Sequence, residues 1–386
     1  MLKIAVLSLS FLLLGFHGIG GILPEIRDSL GITQTQSEIL ITVPSIAILV
    51  FVILSNPLIE KIGMKKTVVA GLILAGIGGT MPAFTPLVYG YLLASRIIFG
   101  AGLGLIYTSS VGYINLLFSE SERPTLVGFR SAVELLGQTF LTLGIGWLAH
   151  LGWHLSFLVH GIAFVIALLV WVKVPEVETG KNSPANSENS GKMNPIVYPV
   201  ALFLGFVAMS GSMVVVRFPA MAAEIMGDGY NSSLIMAMKP LLGIIAAMGF
   251  GKLIKILGKK LLYIGLLCLV GANLLVGFSN GNFPILVTGF LLSSFVLGWV
   301  VPIIIDFISR IAKGKNQRIA MSLILVCVNI SLFGMPFVVR FLEQVLGNTD
   351  LTAPYPLMTI LVGVATLAVM AVSENKAIRL KVLRKR

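Results

Sequence analysis

The sequence predicts an all-α polytopic membrane protein with twelve transmembrane helices arranged in two six-helix, pseudo-symmetric halves. Charged residues make up only 11% of the 386 residues and hydrophobic residues 56%, whereas a soluble protein carries about 25% charged residues. The apolar residues also run in long unbroken stretches, which is typical of membrane helices and not of an alternating membrane barrel. Finally, sequence features of the first half recur in the second half at a constant spacing.

Twelve apolar stretches of about 20 residues, the length that crosses a bilayer, follow one another along the chain. They run over roughly 4–23, 38–57, 67–84, 88–112, 125–147, 156–173, 197–219, 232–250, 261–278, 284–307, 319–339 and 355–373. A polar segment rich in Ser, Asn and Gly interrupts them and is typical of a flexible linker. We therefore predict an N-terminal six-helix bundle at 1–174, a cytoplasmic linker at 175–195, and a C-terminal six-helix bundle with a basic cytoplasmic tail at 196–386.

The positions of lysine and arginine predict how the chain lies in the membrane. Twenty-two of the 28 cations fall in tails and loops on one side of the predicted spans, and such an excess marks the cytoplasmic side. We expect a multi-pass protein of the cytoplasmic membrane with both termini cytoplasmic. This placement accounts for the net charge of +12 without a nucleic-acid partner. The expected partners are a small-molecule substrate and membrane lipid, and the expected state is a monomer.

Several function classes do not fit the sequence. Cys268 and Cys327 both lie inside apolar stretches, so neither a disulfide framework nor a CxxC metal site is predicted. No Walker-type GxxxxGK[ST] loop occurs, and no catalytic cluster is evident at one membrane depth. We therefore expect no cofactor, no metal and no enzymatic activity, which leaves transport without ATP.

The repeat between the halves is visible in matched residues about half a chain apart. The pairs, each separated by 195 or 196 residues, are Pro24 and Pro219, Pro44 and Pro240, Gly63 and Gly258, Lys65 and Lys260, and Arg123 and Arg318. Two parallel six-span repeats on either side of a central linker are the organisation of secondary transporters that rock their halves around a midplane site.

Two short motifs resemble a known family. Residues 56–66 read NPLIEKIGMKK, residues 251–260 read GKLIKILGKK, and residues 96–104 read RIIFGAGLG. The first is similar to the GxxxD[RK]xG[RK][RK] signature loop of the major facilitator superfamily, the second is its echo in the other half, and the third is similar to that superfamily's RxxxGxG motif. Asn56 and Glu60 replace the usual Gly and Asp of the signature. The resemblance covers the whole chain and implies the major facilitator fold.

The resemblance also implies roles for residues at the predicted cytoplasmic side. In the family, the signature loop helps to latch the two halves, and Glu60 would be the acid of that latch. The predicted gate residues are Glu60, Lys61, Gly63, Lys65, Lys66, Gly258, Lys259 and Lys260. The alternative for the lysines is that they only follow the positive-inside rule. Within the superfamily, residues 20–33, GGILPEIRDSLGIT, resemble the cyanate and 2-nitroimidazole permease group.

An ionisable residue inside a span costs at least about 2.5–3.5 kcal/mol and is therefore a functional hypothesis. Arg96 and Lys239 have no acid nearby in sequence and come from different halves, so two cations converging on a cavity would bind an anion. The alternative is an ion pair between Arg96 and Glu134. Asn329 follows Glu134 by 195 residues and supports a polar cavity. The predicted substrate-binding residues are Arg96, Lys239 and Asn329.

Glu134 and Asp306 are the two acids expected inside spans. Glu134 is spaced i, i+4 from Arg130, so it is either a proton-coupling group or half of a buried ion pair. Asp306 has the same spacing to Arg310. His17 is either proton-sensitive or hydrogen-bonded between helices. Arg27, Arg217 and Arg340 are expected to reach the outer interface.

The leading functional hypothesis is a secondary active transporter that moves a small organic or anionic solute by alternating access. Glu134 is the first candidate for proton coupling, and His17 and Asp306 are the other candidates. The alternative is a proton-coupled multidrug efflux antiporter for lipophilic compounds, with Glu134 as its buried acid.

Overall fold

The computed structural model describes residues 1–177, 193–227, 229–312 and 315–374. Most of the predicted linker and the basic tail from residue 375 onward lie outside these ranges. Over the described part the chain is helical and carries no strand. The α-helices are α1 Leu2–Ser8, α2 Leu23–Leu30, α3 Gln34–Ile62, α4 Met64–Thr80, α5 Tyr89–Leu117, α6 Arg123–Leu148, α7 Ile162–Lys173, α8 Val197–Met226, α9 Ser233–Leu257, α10 Lys260–Gly277, α11 Phe283–Leu292, α12 Val301–Ile311, α13 Lys315–Leu346 and α14 Pro354–Glu374.

The predicted number of spans agrees with the helices. Within the described ranges, 11 helices are long and apolar enough to cross a membrane, and a bent pair, Leu2–Leu12 and Gly15–Leu30, adds one more if it is a single span. The two members of that pair meet at 44°. The prediction of an all-α, polytopic architecture is confirmed. The bend lies between Leu12 and Gly15, just before a glycine-rich 3-10 segment, Gly15–Ile22, where the helix is tighter and its hydrogen bonds are weaker.

The described residues group into two compact units. Unit one lies within Met1–Ser183 together with Ala222–Leu241, and unit two lies within Pro184–Met221 together with Leu242–Arg386. The start of α9 thus packs with helices from the first part of the chain. The predicted bundle boundaries at 174 and 196 remain a prediction.

In unit one, small residues of the RIIFGAGLG stretch let α5 lie against two neighbouring helices. A Cβ at Gly104 would come within 2.7 Å of the Ile48 carbonyl oxygen on α3, and a Cβ at Gly100 within 2.7 Å of the Pro44 carbonyl oxygen. Glycine therefore allows backbone contact at these positions, as expected for small residues between membrane helices. The stretch serves helix packing.

Also in unit one, the beginning of α9 docks onto two glycines. Asn231 Nδ2 donates to the Gly146 carbonyl oxygen at 2.8 Å, and the Ser232 N–H donates to the Gly21 carbonyl oxygen at 3.2 Å. A Cβ at Gly21 would lie 2.6 Å from the Ser233 Cα, and a Cβ at Gly146 would lie 2.6 Å from the Ser233 Oγ. We call Asn231, Ser232, Ser233, Gly21 and Gly146 the glycine–serine contact. This contact forms only because Gly21 and Gly146 lack a side chain.

Unit two contains a buried arginine with an acidic partner that the sequence did not indicate. Arg217 on α8 is 2% exposed. Its Nη2 donates to a Glu343 carboxylate oxygen on α13, and its Nη1 donates to the Leu351 carbonyl oxygen at 3.0 Å. The acid was missed because α13 continues to Leu346, beyond the predicted end of that span at 339.

Candidate functional site

The centre of the candidate site is Arg96 on α5, whose side chain is fully buried. Its Nε donates to the Leu40 carbonyl oxygen at 3.1 Å, and its Nη2 donates to the Phe16 carbonyl oxygen at 2.6 Å. The guanidinium carbon lies 5.2 Å from the centroid of the Phe99 ring. The remaining nitrogen, Nη1, has no hydrogen-bond partner. The charge is therefore held in place by two backbone carbonyls, with one nitrogen left to bind a further acceptor.

His17 lies close to this guanidinium. The histidine belongs to the 3-10 segment Gly15–Ile22, which also supplies the Phe16 carbonyl. The residue as a whole is partly exposed, whereas its Nδ1 is buried and has no hydrogen-bond partner. The charges of Lys239 and Arg96 both act on His17. The structure therefore brings these three predicted residues into one electrostatic neighbourhood.

Lys239 lies on α9 and is 7% exposed. Because α9 begins in the glycine–serine contact, the first turns of this helix, including Lys239, are held within unit one. Asn329, the third predicted substrate residue, lies on α13 in unit two, where its amide donates to the Leu325 carbonyl oxygen of its own helix at 2.9 Å. A shared role of Asn329 with Arg96 and Lys239 stays a prediction.

A second histidine, His160, also lies near Arg96. His160 is fully buried, its ring meets the Phe99 ring edge-on with centroids 4.7 Å apart, and the charge of Arg96 acts on it. Its Nδ1 lies 3.1 Å from the Phe157 carbonyl oxygen. His160 is packed between aromatic and backbone groups, unlike the partly exposed His17.

The predicted pairing of Arg130 with Glu134 is present on α6. Arg130 Nη1 lies 3.2 Å from Glu134 Oε2, and the two side chains are 11% and 14% exposed. Arg130 Nε also donates to the Ser110 hydroxyl at 2.9 Å, and the guanidinium lies over the Tyr107 ring. Glu134 therefore pairs with Arg130, and the alternative pairing of Glu134 with Arg96 is wrong.

Asp306 and Arg310 form a pair of a different kind. Their side chains lie 2.8 Å apart and are 57% and 68% exposed. Neighbouring helices therefore do not enclose this pair, in contrast to the pair of Arg130 and Glu134.

A further acid inside a span, besides Glu343, was not predicted. Glu38 is fully buried on α3, and Gln34 Nε2 donates to its Oε1 at 2.9 Å. The expectation that Glu134 and Asp306 are the acids of the spans is therefore wrong. The predicted span starts at 38, whereas α3 starts four residues earlier, at Gln34, after a capping box formed by Thr33 and Gln36. That S/T-x-x-E/Q pattern was the signal available in the sequence.

The signature loop between α3 and α4 is held by an acid that the motif does not contain. Gly63 has a φ of +89°, a left-handed conformation that glycine adopts without strain. The Lys65 N–H donates to Glu176 Oε1 at 3.1 Å, and Lys65 Nζ lies 5.2 Å from the centroid of the Trp171 ring. Glu176, just beyond α7, therefore supplies a carboxylate at the N-terminus of α4. The predicted latch role of Glu60 stays a prediction.

We expect Glu176→Ala to lower the free energy of unfolding by about 1 kcal/mol, because α4 would lose both an acceptor for a terminal N–H and a favourable helix-end charge. The measurement is thermal unfolding of the purified protein. Glu120→Ala is the control, since it removes an exposed carboxylate from the loop between α5 and α6. Equal unfolding temperatures for the two variants would contradict this role of Glu176.

Comparisons with known proteins agree with this architecture. A sequence model described as the Major Facilitator Superfamily matches residues 5–336. The chain is 25% identical over 283 residues to a hexuronate transporter of Bacillus subtilis (strain 168), covering 67% of this chain and 66% of that protein. It is 27% identical over 111 residues to a bacillibactin exporter of the same organism, covering 28% of each chain. The chain therefore matches less than two thirds of the length of either relative.

The fold has close counterparts among solved structures. The xylose transporter XylE from E. coli, in an inward open conformation, matches with a TM-score of 0.73 at 17% identity, over 96% of this chain and 94% of that chain. At such low identity the likeness concerns the fold alone. Members of the matched family are transporters of small molecules and not enzymes. With its helical spans and a family match over most of its length, the chain belongs to the Major Facilitator Superfamily.

Proposed function

We propose that this protein is a secondary transporter of small organic anions, with the anionic group bound by Arg96 and Lys239 beside His17. The observation that carries the proposal is the Nη1 of Arg96, a buried cationic nitrogen without a hydrogen-bond partner. A carboxylate is the natural ligand for such a nitrogen, because charge-assisted hydrogen bonds are about twice as strong as neutral ones. The charges of Arg96 and Lys239, which both act on His17, add attraction for the same anion.

Two likenesses support a small organic anion as substrate. One relative is named a hexuronate transporter, and a hexuronate is a sugar that carries a carboxylate. The residues around Gly20 and Pro24 resemble the cyanate and 2-nitroimidazole permease group. We propose alternating access between two six-helix halves as the mechanism, Asn329 as a further cavity residue, and a cytoplasmic-membrane location with both termini inside.

The alternative, efflux of lipophilic compounds in exchange for protons, has less support. It requires an acid in the cavity whose carboxylate is available to a proton or a cation. The Glu134 carboxylate is instead bound to Arg130, which is itself fixed by the Ser110 hydroxyl. Glu38 is a further buried acid, but Gln34 occupies one of its oxygens.

A ligand panel tests the proposal on the purified protein. We expect D-glucuronate and D-gluconate to raise the unfolding temperature, because a ligand that binds only the folded state adds about 2.7 kcal/mol at a hundred times its Kd. D-Glucose, which resembles D-glucuronate without the carboxylate, is the matched control and should give no rise. Stabilisation by glucose, or by tetraphenylphosphonium in place of the anions, would refute an anion site.

A further inference from the structure

His17 combines partial exposure of the residue with a ring nitrogen, Nδ1, that has no hydrogen-bond partner. The charges that act on it, those of Lys239 and Arg96, are both positive. By contrast, the Glu134 carboxylate already has a cationic partner 3.2 Å away. A neutral imidazole with a lone pair therefore stands beside the proposed anion site.

Resting on the proposed function, we propose that His17 takes up the proton that accompanies each transported anion. In the absence of anion, two neighbouring positive charges oppose a third charge on the imidazole. A carboxylate bound at Arg96 and Lys239 adds a negative charge beside all three groups, and the Coulomb energy of a charged imidazole then turns favourable. A proton from water joins the lone pair of an imidazole nitrogen, and the same proton leaves when the anion leaves.

The elements packed around His17 supply few competing groups. Residues 15–18 face Leu141 and Ile145 on α6, which are apolar. The Arg130–Glu134 pair lies nearer the start of that helix. Gly137, which lies between this pair and Leu141, faces the Phe11 backbone. On α3 the buried acid is Glu38, which lies one turn from Thr42 and accepts from Gln34. Arg96 on α5 and Lys239 on α9 are buried cations, and the buried His160 lies near Arg96.

This coupling predicts the sign and size of a pH effect on binding. Because binding of an anion adds a proton, the affinity must rise as the pH falls. The Kd should change by up to tenfold per pH unit over the range in which the imidazole is neutral without the anion and charged with it. The carboxylate of a sugar acid stays ionised throughout, since carboxyl groups titrate near pH 4.

The test is calorimetric titration of the purified protein with D-glucuronate between pH 5.5 and pH 8.5, in two buffers of different ionisation enthalpy. For the wild type we expect uptake of up to one proton per anion. His17→Gln keeps a polar side chain without a titrating nitrogen and should bind with a Kd independent of pH. His160→Gln is the matched control, because it alters the other histidine near Arg96, and Glu134→Gln represents the rival carrier; both should retain the pH dependence.

Transport supplies the second measurement. In proteoliposomes, His17→Gln should lose accumulation driven by a pH gradient and keep counterflow exchange. Two outcomes would overturn the assignment of the proton to His17 and leave the anion site in place. In the first, His17→Gln still binds D-glucuronate with the pH dependence of the wild type. In the second, Glu134→Gln loses that pH dependence. If D-glucuronate does not bind at any pH, the anion site and the coupling are both overturned.

Discussion

Arg96→Gln should weaken binding of D-glucuronate at least a hundredfold, which corresponds to about 2.7 kcal/mol. The glutamine amide can still donate a hydrogen bond, but it carries no charge and has no second nitrogen to meet an anion. Removing one partner of a buried, charged hydrogen bond typically costs 2–5 kcal/mol of binding free energy. The expected result is loss of the ligand-induced rise in unfolding temperature, measured with the same panel.

A purely structural role of Arg96 predicts a different outcome. Two of its nitrogens bind the carbonyls of Phe16 and Leu40, so the residue also joins the first bent span to α3. If this were its whole role, Arg96→Gln would lower the unfolding temperature without ligand and leave the ligand-induced rise unchanged. Arg96→Lys separates charge from geometry, because it keeps the charge but loses the planar fork; we expect it to bind D-glucuronate with intermediate affinity. Arg340→Gln, at an exposed arginine, is the control.

The helices were predictable because long apolar stretches specify membrane spans without reference to tertiary contacts. The surroundings of charged residues at span ends were harder to predict. Glu38 lies at the predicted start of one span and Arg217 near the predicted end of another. Hydropathy does not tell whether such a side chain turns toward lipid or toward a neighbouring helix. The partner decides the outcome: Arg217 is buried because α13 extends far enough to present Glu343.

The candidate site likewise has a part that the sequence predicts and a part that it does not. Arg96, Lys239 and His17 could be identified from the sequence because an ionisable side chain inside a membrane span is costly. That cost can be recognised for each residue separately, without knowledge of its neighbours in space. What could not be predicted is which groups share a neighbourhood, since that depends on how distant helices pack. Glu176 illustrates the point, because it meets the N–H of Lys65, 111 residues earlier, and the signature loop alone gives no hint of it.

Gly146→Val should have the second large effect, because it removes the space that Ser233 occupies. A Cβ at Gly146 would lie 2.6 Å from Ser233 Oγ, with Asn231 Oδ1 3.3 Å away, and real Cβ contacts are not that short. The start of α9 must move away from α6, and with it the hydrogen bond from Asn231 to the Gly146 carbonyl is lost. We expect transport of D-glucuronate to fall more than tenfold, because Lys239 is held near His17 by this same helix.

The displacement can be measured directly with a cysteine at position 233. In a Cys268→Ser, Cys327→Ser background, Ser233→Cys should react slowly with a maleimide, since Ser233 is 3% exposed. Adding Gly146→Val should raise the rate of reaction severalfold. Gly128→Val is the matched control on the same helix, because a Cβ at Gly128 meets nothing within 4 Å, and valine is no worse than glycine in a helix. A Gly146→Val protein that reacts and transports like this control would show that the glycine–serine contact tolerates a side chain. Lys239 would then owe its position to other parts of α9.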